Sequence, residues 1–201
     1  METVLILDFG AQYSQLIARR VREQNVYCEV KPCSISPDEI RELAPIGIIL
    51  SGGPQSVYES ASLHVDPALF SLGIPVLGIC YGCQLMAYSL GGTVAAATEA
   101  TAREYGKTLT EFDTESAIFH GLPASSVTWM SHGDYISQVP DGFTVTAKTA
   151  VCPTAAMACP EKKLYGVQFH PEVQHTVQGS EILRRFLYSV CGASGDWTLA
   201  D

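Results

Sequence analysis

The sequence predicts an α/β fold: a three-layer α/β/α arrangement around a mostly parallel central sheet, with a more β-rich second half. Three observations lead to this prediction. In the first half, short apolar runs alternate with helical segments, which is the pattern of repeated β-α units. The apolar runs are continuous, as expected of strands buried on both faces. In the second half, strand-like segments follow one another and one long helical segment closes the chain.

The first half predicts four strands and four helices. The clearest helix start is at Ser36, which suits the N-cap, with Pro37 at the first helical position and Glu39 completing a capping box. The predicted strands are Val4–Leu7, Tyr27–Val30, Ile48–Leu50 and Val76–Ile79, and the predicted helices are Gln15–Glu23, a helix beginning at Ser36, Asp66–Leu72 and Gln84–Leu90.

The second half predicts mainly strands before a closing amphipathic helix over Glu181–Val190. We predict one domain over residues 1–191, followed by a tail or the start of a linker over residues 192–201. The predicted strands are Lys107–Phe112, Val127–Met130, Phe143–Ala147, Ala155–Ala158 and Leu164–Phe169.

Composition narrows the classes of function. The chain has 201 residues, 47% of them hydrophobic, so it can bury a sizeable core. A net charge of −9 argues against a broad nucleic-acid or anionic-membrane surface. The seven cysteines are irregularly spaced and odd in number, which does not favour a disulfide framework. We therefore expect a reducing, cytoplasmic setting.

The segment over residues 75–84 is the strongest candidate for chemistry. Cys80 lies at the corner between a predicted buried strand and a predicted helix, where the partial positive charge of a helix N-terminus favours a thiolate. Gly78 and Gly82 flank it, as small residues flank the serine of a nucleophile elbow. We expect the sulfur to be exposed above the sheet edge and to act in covalent catalysis.

A second candidate lies near the end of the chain, where His170 precedes Pro171 and Glu172. Proline biases the residue before it toward an extended backbone, in which residues two apart point the same way. Glu172 would then orient the imidazole of His170, as in the base half of a catalytic triad. The alternative is a strand-end histidine beside a solvated glutamate.

Two polar segments follow predicted strands. Residues 51–54 include paired glycines, whose backbone N–H groups can approach a ligand and hold an oxyanion, although a plain turn is the alternative. Residues 129–134 include His132, which is a second candidate base. The alternatives are that this segment forms a wall of a binding site or is simply a capped turn.

Other cysteine chemistry is disfavoured. Cys80 and Cys83 have the spacing of a redox pair, but that motif calls for neither a histidine–glutamate pair nor a glycine-rich loop. A zinc site with Cys152 and Cys159 lacks a second close cysteine pair. Nucleotide-binding glycine motifs are absent from the sequence. We predict no metal and no cofactor in this domain.

Taken together, these segments resemble the class I, or triad-type, glutamine amidotransferases, whose fold is flavodoxin-like. The resemblance covers residues 4–191. It is strongest to one branch of the family, in which ammonia passes to an ATP-dependent synthetase acting on a purine nucleotide. The segments that carry it are residues 78–84, 170–172 and 52–54, and, for the branch, residues 6–23, 49–54, 103–106 and 129–134.

The resemblance implies hydrolysis of L-glutamine to glutamate and ammonia through a γ-glutamyl thioester. It implies a synthetase module as partner, with ATP and Mg²⁺ bound only there, and a homodimer for the full enzyme. The implied roles are nucleophile for Cys80, base for His170, orienting carboxylate for Glu172, oxyanion hole for Gly53 and Tyr81, and glutamine binding for Gln84, Ser131, His132, Gly133 and Asp134.

Two alternatives stay open at this stage. One is a different cysteine–histidine hydrolase of similar fold, such as a γ-glutamyl peptidase. The other is a catalytically silent module that only regulates a synthetase partner.

Overall fold

The computed structural model of the protein describes residues 1–10, 13–53, 56–58, 63–97 and 104–198. Within these ranges the helices are α1 (Ser14–Glu23), α2 (Pro37–Leu43), α3 (Tyr81–Ser89) and α4 (Gly179–Arg185). The strands are β1 (Thr3–Asp8), β2 (Tyr27–Pro32), β3 (Gly47–Leu50), β4 (Val76–Ile79), β5 (Thr93–Ala96), β6 (Glu104–Phe112), β7 (Ser125–His132), β8 (Asp134–Gln138), β9 (Thr144–Lys148), β10 (Ala156–Cys159) and β11 (Leu164–Val167).

A nine-stranded sheet forms the centre of the protein, in the order β2-β1-β3-β4-β11-β10-β9-β6-β7. The first five strands in this order pair in parallel, whereas β11, β10, β9, β6 and β7 are joined by antiparallel pairings. The strand β11, from late in the chain, lies beside β4, in register from Leu164 opposite Val76 to Val167 opposite Ile79. This pairing brings the segment after β11 to the same sheet edge as the segment after β4.

Two apolar cores cover the two faces of this sheet. Successive residues of β1 alternate between them, with Ile6 in one core and Leu7 in the other. The first core contains residues of α1 and α4, and the second contains residues of α2 and α3. The predicted three-layer fold with a more β-rich second half is therefore confirmed.

Most helices begin and end close to the residues that the sequence patterns predicted. Ser36 caps α2, and its hydroxyl oxygen accepts a hydrogen bond from the Glu39 N–H at 3.1 Å. The predicted helix over residues 66–72 is a short 3₁₀ helix, Pro67–Ser71, which begins after Asp66. The closing helix begins at Gly179 and continues after α4 as a π-helical turn, Phe186–Val190.

Two assignments were wrong. The helix α3 begins at Tyr81, three residues before the predicted start, because the chain turns into the helix at Cys80. Residues 129–134 are not a loop after a strand: β7 runs on through His132, and β8 begins at Asp134. The strand β8 pairs with β5 in a separate two-stranded sheet that the sequence patterns did not predict.

The C-terminal segment packs against the beginning of the chain. The backbone N–H and the hydroxyl group of Ser194 both donate to Glu2, at 2.9 and 2.6 Å. The ring of Trp197 lies 5.9 Å from the ring of Tyr27 on the edge strand β2. In the part of the chain that the structure describes, no helix has the length and apolar character needed to cross a membrane.

Candidate active site

Cys80 stands in a strained turn between β4 and α3. Its backbone angles are φ 52° and ψ −109°, in a region that residues with a side chain rarely adopt. A Cβ atom at Gly78 would lie 2.6 Å from the carbonyl oxygen of Gly82, and one at Gly82 would lie 2.5 Å from that of Leu50. The two glycines therefore allow strand and helix to approach closely enough for the turn to form.

The sulfur of Cys80 is not exposed above the sheet edge, contrary to the expectation from the sequence. The residue is only 5% exposed. The carbonyl oxygen of Ser131 lies 3.6 Å from Sγ, and the amide nitrogen of Gln168 lies 3.5 Å from it. The end of β7 and the segment after β11 therefore enclose the thiol.

His170 and Glu172 are brought together beside this thiol. His170 Nδ1 lies 2.9 Å from Glu172 Oε2, and the two residues are only 5% and 1% exposed. Thr176 fixes the backbone here, because its hydroxyl group donates to the His170 carbonyl at 2.6 Å and accepts from the Trp129 N–H at 2.9 Å. The His170 N–H in turn donates to the Trp129 carbonyl at 2.9 Å.

The environment of the His170 ring favours its charged form. Burial opposes a charge on the ring, but hydrogen bonds to Cys80 and Glu172, and the attraction of their negative charges, raise the pKa of His170 to about 11. The ring of Tyr13, from the start of α1, contacts the imidazole edge-on at 5.6 Å between centroids. The ring is thus suited to carry a proton beside the sulfur of Cys80.

Glu172 is held by its backbone as well as by His170. Arg20 of α1 donates from Nε to the Glu172 carbonyl oxygen at 2.9 Å. The carboxylate oxygen Oε2 faces the imidazole, whereas Oε1 is buried without a hydrogen-bond partner among the described residues. The carboxylate is therefore directed at His170 and at no other described donor.

The two proposed oxyanion donors lie next to each other beside the thiol. A Cβ atom at Gly53 would meet the Tyr81 ring at 3.3 Å, and one at Gly52 would meet His170 Cε1 at 3.1 Å and Cys80 Cβ at 3.6 Å. Tyr81 is the first residue of α3 and directly follows the nucleophile in the chain. Pro54, the last residue of the predicted loop, lies outside the described residues, as does Arg103.

The residues expected to bind glutamine cluster around the turn between β7 and β8. Gln84 is 4% exposed and donates from Nε2 to the Asp134 carbonyl oxygen at 3.1 Å. His132 Nδ1 contacts the same carbonyl oxygen at 2.7 Å. Gly133 lies between the two strands, and its carbonyl accepts from the Ala97 N–H at 3.0 Å. With Ser131 against the sulfur, this turn faces the nucleophile.

Cys83 is close to Cys80, but it packs in a different core. It is fully buried in the core that contains α3, whereas Cys80 belongs to the core on the other face of the sheet. Burial and the nearby Cys80 raise the pKa of the Cys83 thiol well above its ordinary value. All seven cysteines are free. Over the described ranges, no group of three or more His, Cys, Asp or Glu residues is placed to hold a metal ion.

Three residues of the site, Gln168, Thr176 and Arg20, were not singled out from the sequence. Gln168 carried a usable signal, because it stands two residues before His170, just as Glu172 stands two residues after it. The alternation that joined the histidine and the glutamate also reaches this amide. Thr176 and Arg20 act through backbone carbonyl groups, which no side-chain pattern reveals.

Comparison with protein families gives a match over nearly the whole chain. Residues 5–190 match the family described as Glutamine amidotransferase class-I. A structure described as a putative GMP synthase subunit from Thermoplasma acidophilum is 33% identical, with a TM-score of 0.82 over 95% of this chain and 94% of that one. A glutamine amidotransferase from Thermotoga maritima shares the fold at 20% identity, with a TM-score of 0.75 over 96% and 99% of the two chains.

Curated relatives are more similar and longer. The GMP synthase [glutamine-hydrolyzing] of Caldanaerobacter subterraneus subsp. tengcongensis is 57% identical over 198 residues, which is 98% of this chain and 38% of the relative. The protein of the same name from Clostridium botulinum (strain Alaska E43 / Type E3) is 55% identical, with the same coverage. The chain therefore spans about 38% of the length of these relatives.

Proposed function

The chain belongs to the class I glutamine amidotransferase family, and from this membership we propose that it hydrolyses L-glutamine to glutamate and ammonia. One observation carries the proposal: the buried imidazole of His170 lies between a strained cysteine and a buried carboxylate, 2.9 Å from the latter. A nucleophile, a base and an orienting group are the parts that acyl transfer from an amide requires.

In the first half of the reaction, the Cys80 thiolate attacks the side-chain amide carbon of glutamine. The electron pair of the carbonyl moves to oxygen, where the backbone N–H groups of Gly53 and Tyr81 hold the oxyanion. The imidazolium of His170 then gives its proton to the departing nitrogen, ammonia leaves, and a γ-glutamyl thioester remains on Cys80. Because the pKa of His170 is raised, the ring carries this proton at neutral pH.

In the second half, the now neutral His170 takes a proton from a water molecule that attacks the thioester carbon. Collapse of the second oxyanion releases glutamate and restores the thiolate beside the imidazolium. Glu172 keeps Nδ1 turned toward itself throughout, so that Nε2 faces the reacting atoms. Gln84 and the turn over residues 131–134 would hold the substrate.

We further propose that this reaction serves a GMP synthase. The relatives that bear this name are longer than the chain, which leaves room in them for an ATP-dependent synthetase module. That module would bind ATP and Mg²⁺ and use the ammonia to convert xanthosine monophosphate to GMP. A homodimer of the full enzyme is part of the same proposal, as is a cytoplasmic setting, which suits the seven free thiols.

Two cysteine variants test the glutaminase activity. We expect Cys80→Ala to abolish ammonia release from L-glutamine, because an alanine side chain cannot form the thioester. Cys83→Ala is the matched control: it makes the same change in the core on the other sheet face, so it should keep most of the activity. Ammonia and glutamate are measured together in an enzyme-coupled assay. Comparable losses in both variants would count against the mechanism.

The same preparation separates the two alternatives. A γ-glutamyl peptidase would prefer γ-glutamyl peptides to free glutamine in a direct comparison of kcat/KM. A silent regulatory module would not react with a glutamine-like diazo-ketone, whereas the proposed enzyme is alkylated at Cys80. Peptide mass spectrometry identifies the labelled cysteine, and labelling at Cys83 instead would overturn the assignment.

A further inference from the structure

A buried amide that belongs to neither the triad nor the oxyanion hole contacts the nucleophile. Gln168 is 0% exposed, and its Nε2 lies 3.5 Å from Cys80 Sγ. Its Oε1 accepts a hydrogen bond from Gln84 Nε2 at 3.1 Å. A glutamine fully removed from water and paired at both ends of its amide has a fixed orientation and a specific neighbour.

The orientation of the Gln168 amide follows from the Asp134 carbonyl group, which can only accept a hydrogen bond. Gln84 Nε2 contacts the Asp134 carbonyl oxygen as well as Gln168, and a carbonyl has no proton to give. The Gln84 group facing it must therefore be the NH₂, and this NH₂ requires an oxygen from Gln168. The NH₂ of Gln168 is then left facing the sulfur of Cys80.

We infer that Gln168 is a further catalytic residue, whose amide N–H holds the Cys80 sulfur in its thiolate form. This inference rests on the proposed function. The sulfur also lies 3.6 Å from the backbone carbonyl oxygen of Ser131. This oxygen accepts a hydrogen bond from a thiol but repels a thiolate. The Gln168 amide opposes that preference, because a hydrogen bond to a charged acceptor is stronger than one to a neutral group.

The same contacts join the nucleophile to the glutamine-binding turn. A connected series of hydrogen bonds runs from the Asp134 carbonyl through Gln84 and Gln168 to the Cys80 sulfur. A shift of the turn that released Gln84 would also release the orientation of Gln168. Gln84 therefore has a second task besides contact with substrate, which is to direct the donor that faces Cys80.

The test is the pH dependence of Cys80 alkylation by iodoacetamide in the intact protein, followed by mass spectrometry. In Gln168→Met, a side chain of similar size lacks the donor, so the midpoint pH of alkylation should rise by about one. We expect kcat for glutamine to fall about 10- to 100-fold with a smaller change in KM. Gln138→Met makes the same change at an exposed site on β8 and should leave the midpoint unchanged.

A second variant keeps the test independent of packing. Gln168→Glu preserves the shape but places a carboxylate oxygen against the sulfur, so the midpoint should rise further than in Gln168→Met. A midpoint pH of alkylation that increases from the wild type to Gln168→Met and then to Gln168→Glu supports the inference, since a packing defect alone would not rank the proteins in this way. Equal midpoints in all three proteins would overturn it.

The outcomes also distinguish this inference from the proposed function. A wild type that releases ammonia, together with variants whose midpoints do not move, would reject the role of Gln168 and leave the glutaminase proposal standing. A wild type that releases no ammonia even with a synthetase module, ATP, Mg²⁺ and xanthosine monophosphate present, together with midpoints that rise in the stated order, would reject the glutaminase proposal and keep the donor role.

Discussion

At the scale of single residues, the chemistry depends on how Cys80, His170 and Glu172 are removed from water. Each is 5% exposed or less, so electrostatic interactions among the sulfur, the imidazole and the carboxyl group are little screened by water. Burial alone would keep His170 neutral, and it is the two partners that reverse this preference. The charge state of the ring therefore reports directly on whether both partners are in place.

We predict that Cys80→Ala lowers the pKa of His170. In the folded protein, burial lowers the pKa of His170, whereas Cys80 and Glu172 raise it by stabilising the protonated ring. Without the sulfur, the lowering effect of burial is less fully offset. The wild-type ring should remain charged well above pH 6.5, and the variant ring should lose its proton at a lower pH than the wild type. The His170 Cε1 proton chemical shift, followed by NMR across pH, measures both curves.

Cys83→Ala is the control for this titration. The thiol of Cys83 lies in the core on the other face of the sheet and makes no contact with the imidazole that contributes to its pKa. Its His170 curve should overlay that of the wild type. Identical curves for the wild type and Cys80→Ala would mean that the thiol and the imidazole do not interact.

At the scale of elements, the turn from β4 to α3 depends on close approach more than on any side-chain contact. The glycines at 78 and 82 let the start of α3 lie against β4 and β3. The sequence indicated this turn through the two glycines and the continuous apolar strand. The start of α3 was placed too late because seven of its residues are buried, so it has no polar face to mark its first turn.

We predict that Gly82→Ala destabilises the protein by about 3 kcal/mol or more. The added methyl group would lie 2.5 Å from the Leu50 carbonyl oxygen, and a backbone atom of a central strand cannot rotate away. Gly73→Ala is the control: its φ of +78° is strained for alanine but the site is open, so it should cost about 1–2 kcal/mol. Urea unfolding gives both free energies, and equal costs would contradict the close-approach argument.

Other elements escaped the sequence because their partners are distant. In the described part of the chain, the strands β5 and β8 pair only with each other, about forty residues apart. The strand β5 is short and alanine-rich, and β8 is largely polar, so neither resembles the buried strands of the central sheet. Their pairing decides where the turn over residues 131–134 lies. A local pattern revealed the polar residues of this turn but not that it would cover the sulfur.

At the scale of the whole molecule, the site is made by one parallel pairing. The pairing of β11 with β4 places the residues after Val167 next to Cys80, although 88 positions separate Gln168 from Cys80 in the chain. The spacing of His170 and Glu172, and the corner at Cys80, predicted each half of the site. Their meeting was implied by the family resemblance, because no local signal specifies which strands become neighbours.

The enclosure of the thiol has a consequence for activity. A glutamine side chain must reach a sulfur that is covered by the Ser131 carbonyl group and belongs to a residue only 5% exposed. We therefore expect the turn between β7 and β8 to move when glutamine enters, and we expect turnover to be low while the turn stays in place. A synthetase partner that stabilised the open turn would raise the rate at which glutamine is consumed.

We predict low ammonia release from this protein alone, and an increase of about tenfold or more when a GMP synthase synthetase module is added with ATP, Mg²⁺ and xanthosine monophosphate. The module without nucleotide is one control, and Cys80→Ala with the complete mixture is the other, since it should release no ammonia. Initial rates of ammonia formation at saturating glutamine make the comparison. High turnover that does not change on addition of the module would show that the enclosed thiol is accessible without a partner.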